Sequence, residues 1–271
     1  MKKAKIISVL LIGTALLTAC GSSDSSSKTA DSTASSTAAA ESQAEQKAAS
    51  YKNDDGTMYA DLSEGMPDFF ECSDGWTNGS MFNVFWRAGN VTFENGVMQL
   101  TIDNDPVQEK NIPYSGGEFR SKDFYGYGKY EVNMKAIKND GVVSSFFTYT
   151  GPSDNNPWDE IDVEILGKDT TKVQFNYFTD SKGNHEFMYD LGFDASEDFH
   201  TYAFEWSKDK ITWYVDDKEA YSTTESIPTT DSKIMMNAWC GKGVDGWLNS
   251  FKDDKLPISA EYKWVKFTPA S

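Results

Sequence analysis

Within the stretch WDEIDVEILG, Trp158 to Gly167, three carboxylic acids stand at alternate positions: Glu160, Asp162 and Glu164. The residues interleaved with them, Ile161, Val163 and Ile165, are apolar and β-branched. On a strand, successive side chains point to opposite faces, so the acids share one face and the aliphatic residues turn toward a core. Adjacent like charges are costly, because each disfavours ionisation of its neighbours. Such an arrangement has a use if a cation or a reaction draws on it. Hydrolysis of a glycosidic bond uses two carboxyls, about 5–5.5 Å apart for retention and about 6.5–9.5 Å for inversion. Residues i and i+4 on a strand have Cα atoms about 13 Å apart at ~3.3 Å per residue. An inward lean of about 3–4 Å by both Glu160 and Glu164 brings their carboxyls toward the retaining separation. Asp162, shorter by a methylene, fits beneath them and can hydrogen-bond one of the pair. The bare pattern also suits a solvated acidic face, or a calcium site, although carboxylate cages favour loops where backbone carbonyls turn inward.

The elements that must carry these acids read as strands. KYEVNMKAI alternates Tyr130, Val132, Met134 and Ala136 against polar residues, and TYAFEWSKDKITWYVDD reads as a hairpin. KVQFNYF, KIMMNAWC and AEYKWVKF add short runs of β-branched and aromatic residues, punctuated by Gly, Asn and Asp. No long stretch has 3.6-residue periodicity. Many short strands over roughly two hundred residues predict an all-β fold, a single β-sandwich or jelly roll. Trp206, Trp213 and Trp264 fall in alternating strands and are expected in the core. Trp158 directly precedes the acids, Trp239 and Trp247 fall in the Gly-rich NAWCGKGVDGWL, and Trp76 neighbours Asn78 in DGWTNGS. These four are candidates for stacking on sugar rings, an expected feature of a carbohydrate site. His185 and His200 stand in no metal-like cluster, and a structural role is expected for both.

The chain has 271 residues, with 25 basic against 42 acidic side chains for a net charge of −17. That surface repels phosphate backbones, which argues against nucleic acid as a partner and suits a neutral substrate. At the N-terminus, Lys2, Lys3 and Lys5 precede an apolar run from Ile6 to Leu17 that is too short to span a bilayer. The run ends in LTAC, which resembles a bacterial lipobox. Residues 1–19 are therefore expected to be a lipoprotein signal peptide. Residues 20–50 would be a lipidated Cys20 followed by a flexible Ser/Ala/Thr-rich tether. Residues 51–271 would be the catalytic domain. The localisation expected is export, with the chain anchored to the bacterial membrane at the cell surface, or secreted if the tether is cut. Cys72 and Cys240 lack metal-ligand spacing; two unpaired thiols are the default, although an oxidising compartment would permit a bridge.

Four stretches, PWDEIDVEILGKDTTKVQFNYF, GYGKYEVNMKAIKNDGVVSSFFTYTGPS, LGFDASEDFHTYAFEW and KIMMNAWCGKGVDGWL, resemble the bacterial lichenases, the endo-β-1,3-1,4-glucanases of glycoside hydrolase family 16. The likeness runs from about Asp68 to Phe267. It implies a concanavalin-like jelly roll of two antiparallel sheets with an open cleft on the concave face, and a retaining double displacement. Glu160 would be the nucleophile, Glu164 the general acid/base and Asp162 an assisting residue. The implied substrate contacts are Trp76, Asn78, Arg120, Phe147, Trp158, Asn176, Trp239 and Trp247. The implied partner is a β-glucan polysaccharide, met by a monomer without a cofactor. Three positions depart from the family pattern. Val84 and Gly116 stand where a disulfide is usual, Lys263 stands where an Asp often holds a structural calcium, and Phe178 stands where a Tyr borders the cleft. The calcium is therefore not expected, and no metal ligand is assigned. Alternatives are another family 16 activity, on xyloglucan or β-1,3-glucan, and a glucan-binding lipoprotein without catalysis.

Overall fold

Period-two alternation becomes two facing sheets in the computed structural model, which describes residues 49–271; Cys20 and nearly all of the expected tether lie outside that range. One sheet orders its strands Phe70–Cys72, Tyr114–Ser121, Lys233–Cys240, Val142–Thr150, Asp159–Leu166, Lys172–Phe178 and Phe187–Asp190, all antiparallel. The second sheet is built on the long strand Ile258–Pro269. That strand pairs on one side with Val97–Asn104 and Met58–Asp61, and on the other with Gly128–Lys135. The strands His200–Trp206, Ile211–Val215 and Lys218–Thr223 follow in turn. The expected hairpin is present, with Tyr202 opposite Val215 and Phe204 opposite Trp213. The architecture is the jelly roll read from the sequence.

Between the sheets lies the apolar core. Ile161, Val163 and Ile165 are buried there, as are Trp206 and Trp213. Trp264 is not: it faces outward, half-buried beside Tyr59. The register of its strand shifts between Tyr262 and Trp264, and this irregularity moves Trp264 off the inward face. Two hydrogen bonds tie the sheets together, one at the acid strand and one at the strand beside it. Trp213 Nε1 donates to the Asp162 backbone oxygen at 3.1 Å, and the Tyr262 hydroxyl donates to the Ser145 backbone oxygen at 2.9 Å. In a dry core such bonds fix strand position as well as satisfy polar groups.

Where the disulfide would stand, Val84–Trp86 runs parallel to the start of Tyr114–Ser121, with Trp86 opposite Gly116. A Cβ on Gly116 would lie 2.8 Å from the Ala238 backbone oxygen, 2.9 Å from the Trp86 ring and 3.1 Å from Val84 Cγ2. Close packing against a glycine occupies the place of the bridge. Cys72 and Cys240 are both free thiols.

Candidate active site

The acid strand, Asp159–Leu166, is an interior strand of its sheet, so neighbours on both sides fix its register. Across the exposed face, backbone pairing lines up three rows of side chains. Glu160 lies between Phe178 and Tyr149, Asp162 between Asn176 and Phe147, and Glu164 between Gln174 and Ser145. The rows continue onto the next strands, through Lys233, through Met235 to Arg120, and through Asn237 to Glu118. Asp159 pins the start of the strand: one carboxylate oxygen accepts from the Asp180 amide at 2.8 Å, and the other accepts from the Thr229 and Thr230 amides at 3.0 Å.

These rows floor a cleft of about 760 Å³. The three acids and all eight sequence-predicted contacts line it: Trp76, Asn78, Arg120, Phe147, Trp158, Asn176, Trp239 and Trp247. Trp158 stacks on Phe178, ring centres 4.4 Å apart, so the Phe in the place of the family Tyr supports the neighbouring indole. The Arg120 guanidinium lies 5.0 Å from the Trp76 ring centre and is held by Glu71 through a 2.9 Å ion pair. Trp239, expected outside the core in a Gly-rich stretch, is the penultimate residue of the strand Lys233–Cys240 and only 3% exposed, its ring centre 4.1 Å from that of Phe82. It lines the cleft from within the packed wall. Asn176 lines the cleft and is buried, and its Oδ1 has no hydrogen-bond partner within the protein.

Several lining residues were missed by the sequence reading: Glu118, Ser145, Tyr149, Gln174, Glu186 and Asn237 among them. Gln174 and Asn237 occupy alternate positions of KVQFNYF and KIMMNAWC, where that alternation was the available signal. Glu118, Ser145 and Tyr149 lie on the strands Tyr114–Ser121 and Val142–Thr150, which the periodicity did not single out, and Glu186 precedes Phe187–Asp190. Glu118 is buried and accepts from the Ser73 hydroxyl at 2.6 Å, from Asn237 Nδ2 at 3.2 Å and from Asn78 Nδ2 at 3.3 Å. Burial nevertheless raises its pKa, against these bonds and the Arg120 charge. His185 and His200 stay out of the chemistry. His185 stacks on Tyr177 at 3.9 Å, and His200 stacks on Phe193 and meets Asp216 at 2.7 Å.

The acids are held well above the usual carboxylate range. Burial pushes Glu160 up to about 7, opposed by the Trp158 indole donating at 2.5 Å and by a hydrogen bond with Asp162, and abetted by the Glu118 charge. Burial likewise takes Glu164 to about 8, opposed by Gln174 and assisted by the charges of Glu160 and Glu186. Asp162 is also raised well above the ordinary aspartate range, by burial and by the flanking Glu160 and Glu164 charges. A protonated Asp162 donating to Glu160 reconciles these shifts, since the bond favours ionised Glu160 and neutral Asp162. Both Glu160 and Glu164 thus hold protons to higher pH than an ordinary carboxyl, and the bond from Asp162 favours the ionised form of Glu160 alone.

Comparison with known proteins matches residues 78–265 to the family described as Glycosyl hydrolases family 16. A β-glucanase of Acetivibrio thermocellus is 59% identical over 194 residues, covering 72% of this chain and 57% of that protein. A xylanase/β-glucanase of Ruminococcus flavefaciens is 55% identical over 219 residues, covering 79% of this chain. The aligned region spans only 27% of the Ruminococcus protein's length. Among solved structures, a prokaryotic β-1,3-1,4-glucanase (lichenase) derived from a mouse hindgut metagenome superposes with a TM-score of 0.76 at 50% identity, over 79% of this chain and 99% of that one.

Proposed function

The chain belongs to family 16 of the glycosyl hydrolases, and from that premise we propose that it is a retaining endo-β-glucanase that hydrolyses β-1,4 bonds in mixed-linkage β-1,3-1,4-glucans. The observation that carries this reading is the acid row itself: two Glu residues four positions apart on one face of an interior strand, Glu160 held by the Trp158 indole, Glu164 held by Gln174, and Asp162 between them. The names of the relatives, β-glucanase and lichenase, support the substrate class.

The chemistry follows from that arrangement. A glucan chain lies along the cleft, its rings against Trp158 and the other aromatic walls, its hydroxyls met by polar lining residues such as Asn78 and Asn176. Glu164 gives its proton to the glycosidic oxygen as the bond to the anomeric carbon breaks, and the bonding pair leaves on that oxygen. The Glu160 carboxylate attacks the same carbon and forms a glycosyl-enzyme. Glu164, now ionised, takes a proton from water, whose oxygen displaces Glu160 and restores the original configuration. Aglycone departure thus requires a neutral Glu164 beside an ionised Glu160; burial and the charges of Glu160 and Glu186 favour the first, and the bonds from Trp158 and Asp162 favour the second. Both acids project from an interior strand of a covered sheet, so their spacing is fixed before substrate arrives.

No metal enters these steps. Where the resemblance implies a calcium ligand, the Lys263 ammonium lies 4.0 Å from the Phe199 ring centre. A cation beside it would be repelled, so these residues do not fit a structural calcium. We also propose export and lipid attachment at Cys20, supported by the basic start, the short apolar run and LTAC. Partition of the full chain into detergent, lost in Cys20→Ala, would test that.

The decisive experiment is reducing-end release by residues 51–271 on lichenan, laminarin, carboxymethyl-cellulose and xyloglucan in parallel, with product anomers followed by NMR. Release from the mixed-linkage glucan alone, with retained configuration, is expected. Glu160→Gln should abolish turnover while leaving the thermal unfolding transition cooperative. Inversion, or full activity in that variant, would sink the assignment.

A further inference from the structure

Glu164 is held by more than its own strand. Gln174 stands directly opposite it on the adjacent strand and is 5% exposed. Gln174 Nε2 donates to Glu164 Oε2 at 2.6 Å. At the other end of the same carboxamide, Gln174 Oε1 accepts from Trp247 Nε1 at 3.0 Å. An indole N–H can only donate, so it requires the oxygen of the carboxamide to face it. The amide nitrogen must then face Glu164. A glutamine without that neighbour could turn either end toward the acid.

The orientation has a consequence for the proton. Oε2 of Glu164 already accepts a close N–H, and a proton placed on that oxygen would be aimed at a donor. The proton is therefore favoured on Oε1, the oxygen that Gln174 leaves free. We propose that Gln174, oriented by Trp247, is a positioning residue that keeps the transferable proton of Glu164 on a single oxygen and so links proton delivery to the seating of the Trp247 segment. The proposal rests on Glu164 being the acid/base of the reaction set out above. Gln174 neither gains nor loses a proton. In the first step the proton passes from Oε1 to the departing glycosidic oxygen, and in the second it returns to that oxygen from water.

Trp247 sits on the short helix Asp245–Leu248, half-buried in the cleft wall, with its ring centre 6.0 Å from that of Trp239. A sugar packed on Trp247 would hold the indole N–H where Gln174 needs it. Contact with substrate on the wall would then be felt at the acid through two hydrogen bonds. This arrangement separates two roles for Trp247, stacking and orientation, that a substitution retaining the ring can tell apart.

The surroundings of Glu164 give the direction of the pH effect. Its own strand presents Asp162 and Glu160, the adjacent strand presents neutral Gln174, and the strand on the other side presents neutral Ser145. Glu186 faces it from the segment before Phe187–Asp190, while the cations of the cleft, Arg120 and Lys233, lie on other strands of the floor. Of the influences that shift Glu164, the bond from Gln174 favours the ionised form, whereas burial, Glu160 and Glu186 oppose it. Removing that bond should move the alkaline limb of the pH profile upward.

The test compares the protein with Gln174→Leu, Trp247→Phe and the double variant. Each is assayed on mixed-linkage glucan, where the leaving group needs a proton, and on a dinitrophenyl β-oligoglucoside, where it does not. Thermal unfolding is followed beside the kinetics. We expect both single variants to lose about tenfold or more in kcat on the polysaccharide and less than threefold on the aryl substrate, within the range over which acid catalysis acts. Gln174→Leu should also raise the alkaline limb. The double variant should lose little more than the worse single one, because both substitutions break one linkage. Equal losses on the two substrates with an unmoved limb would make Gln174 a packing residue and overturn the proposal. In Trp247→Phe, a raised KM with kcat unchanged would reduce Trp247 to stacking and overturn it too, and this variant serves if Gln174→Leu does not fold. An unsubstituted protein inactive on every glucan would instead overturn the functional reading on which the proposal rests.

Discussion

Replacing Glu164 by Gln should abolish catalysis and at the same time stabilise the fold at alkaline pH. The carboxyl loses its proton near the ordinary 4.5 in the unfolded chain, but near 8 in the folded protein. Between those values the native state binds more protons than the unfolded state, so stability falls as pH rises through the window. Below about pH 4 both states are protonated and the group contributes no difference. Taken alone, the shift of 8 − 4.5 = 3.5 units sets a ceiling of about 5 kcal/mol at 1.36 kcal/mol per unit. Glu160 and Asp162 titrate with it, so removing one acid relieves only part of a shared repulsion. A gain of about 1–2 kcal/mol above pH 8, within the range of single stabilising substitutions, is therefore expected. For a chain of this size that corresponds to a rise in Tm of about 2–8 °C. The variant amide is nearly the same shape as the protonated acid, and its oxygen can still accept from Gln174. Thermal unfolding by circular dichroism at pH 4, 6 and 9 should give coincident curves at pH 4 that separate as pH rises. An offset of equal size at all three values, or a variant less stable at pH 9, would refute the argument that the acid row stores electrostatic strain.

Two further outcomes concern the scaffold. Gly116→Ala should destabilise the protein by about 1–3 kcal/mol, the usual range for overpacking, because its Cβ would meet the Ala238 backbone oxygen and the Trp86 ring; an unchanged denaturant midpoint would show that the strand shifts freely. In thiol labelling of the native protein, Cys72 should react measurably and Cys240 only on unfolding. Cys72 is half-buried, whereas Cys240 has no exposed surface and burial pushes its thiol far up. Equal labelling rates would contradict that difference.

How much of this was legible in the chain depended on whether the signal was local. The acid row, its alternation with Ile161, Val163 and Ile165, and the hairpin from His200 to Val215 are properties of consecutive residues, and strand periodicity exposes them directly. Phe147, Asn176 and Arg120 entered through resemblance, because nothing in VVSSFFTYT, KVQFNYF or GGEFRS taken alone says which face meets a cleft. Glu118 and Asn237 were overlooked for a related reason. Their role arises from pairing between strands distant in the chain, which puts Asn237 opposite Glu118, 119 residues away, and Ser145, 92 residues away. Trp264 looked like core because its strand alternates, and the register shift that turns it outward is a tertiary feature. Trp239 looked free of the core because Gly241 and Gly243 follow it closely, and the packing of Phe82 against it is again tertiary. Gln174 was hidden by its ordinariness, a polar residue at an alternate position, whose importance lies in which atoms stand at its two ends.

The same contrast explains why the site can carry three acids side by side. An exposed loop would relax under their repulsion by moving apart. Here Asp159 anchors the start of the strand through three backbone amides, and Trp213 and Tyr262 reach across the core to Asp162 and to Ser145, the residue opposite Glu164. With the backbone unable to yield, burial first and the neighbouring charges second are met by holding protons instead of by moving atoms, and the carboxyl pKa values rise. Those retained protons are what the proposed reaction consumes and regenerates. The rigidity that makes the row costly therefore also makes it useful, and a variant that loosened the strand, even with every acid intact, should lower the pKa values of the row and shift activity toward acid.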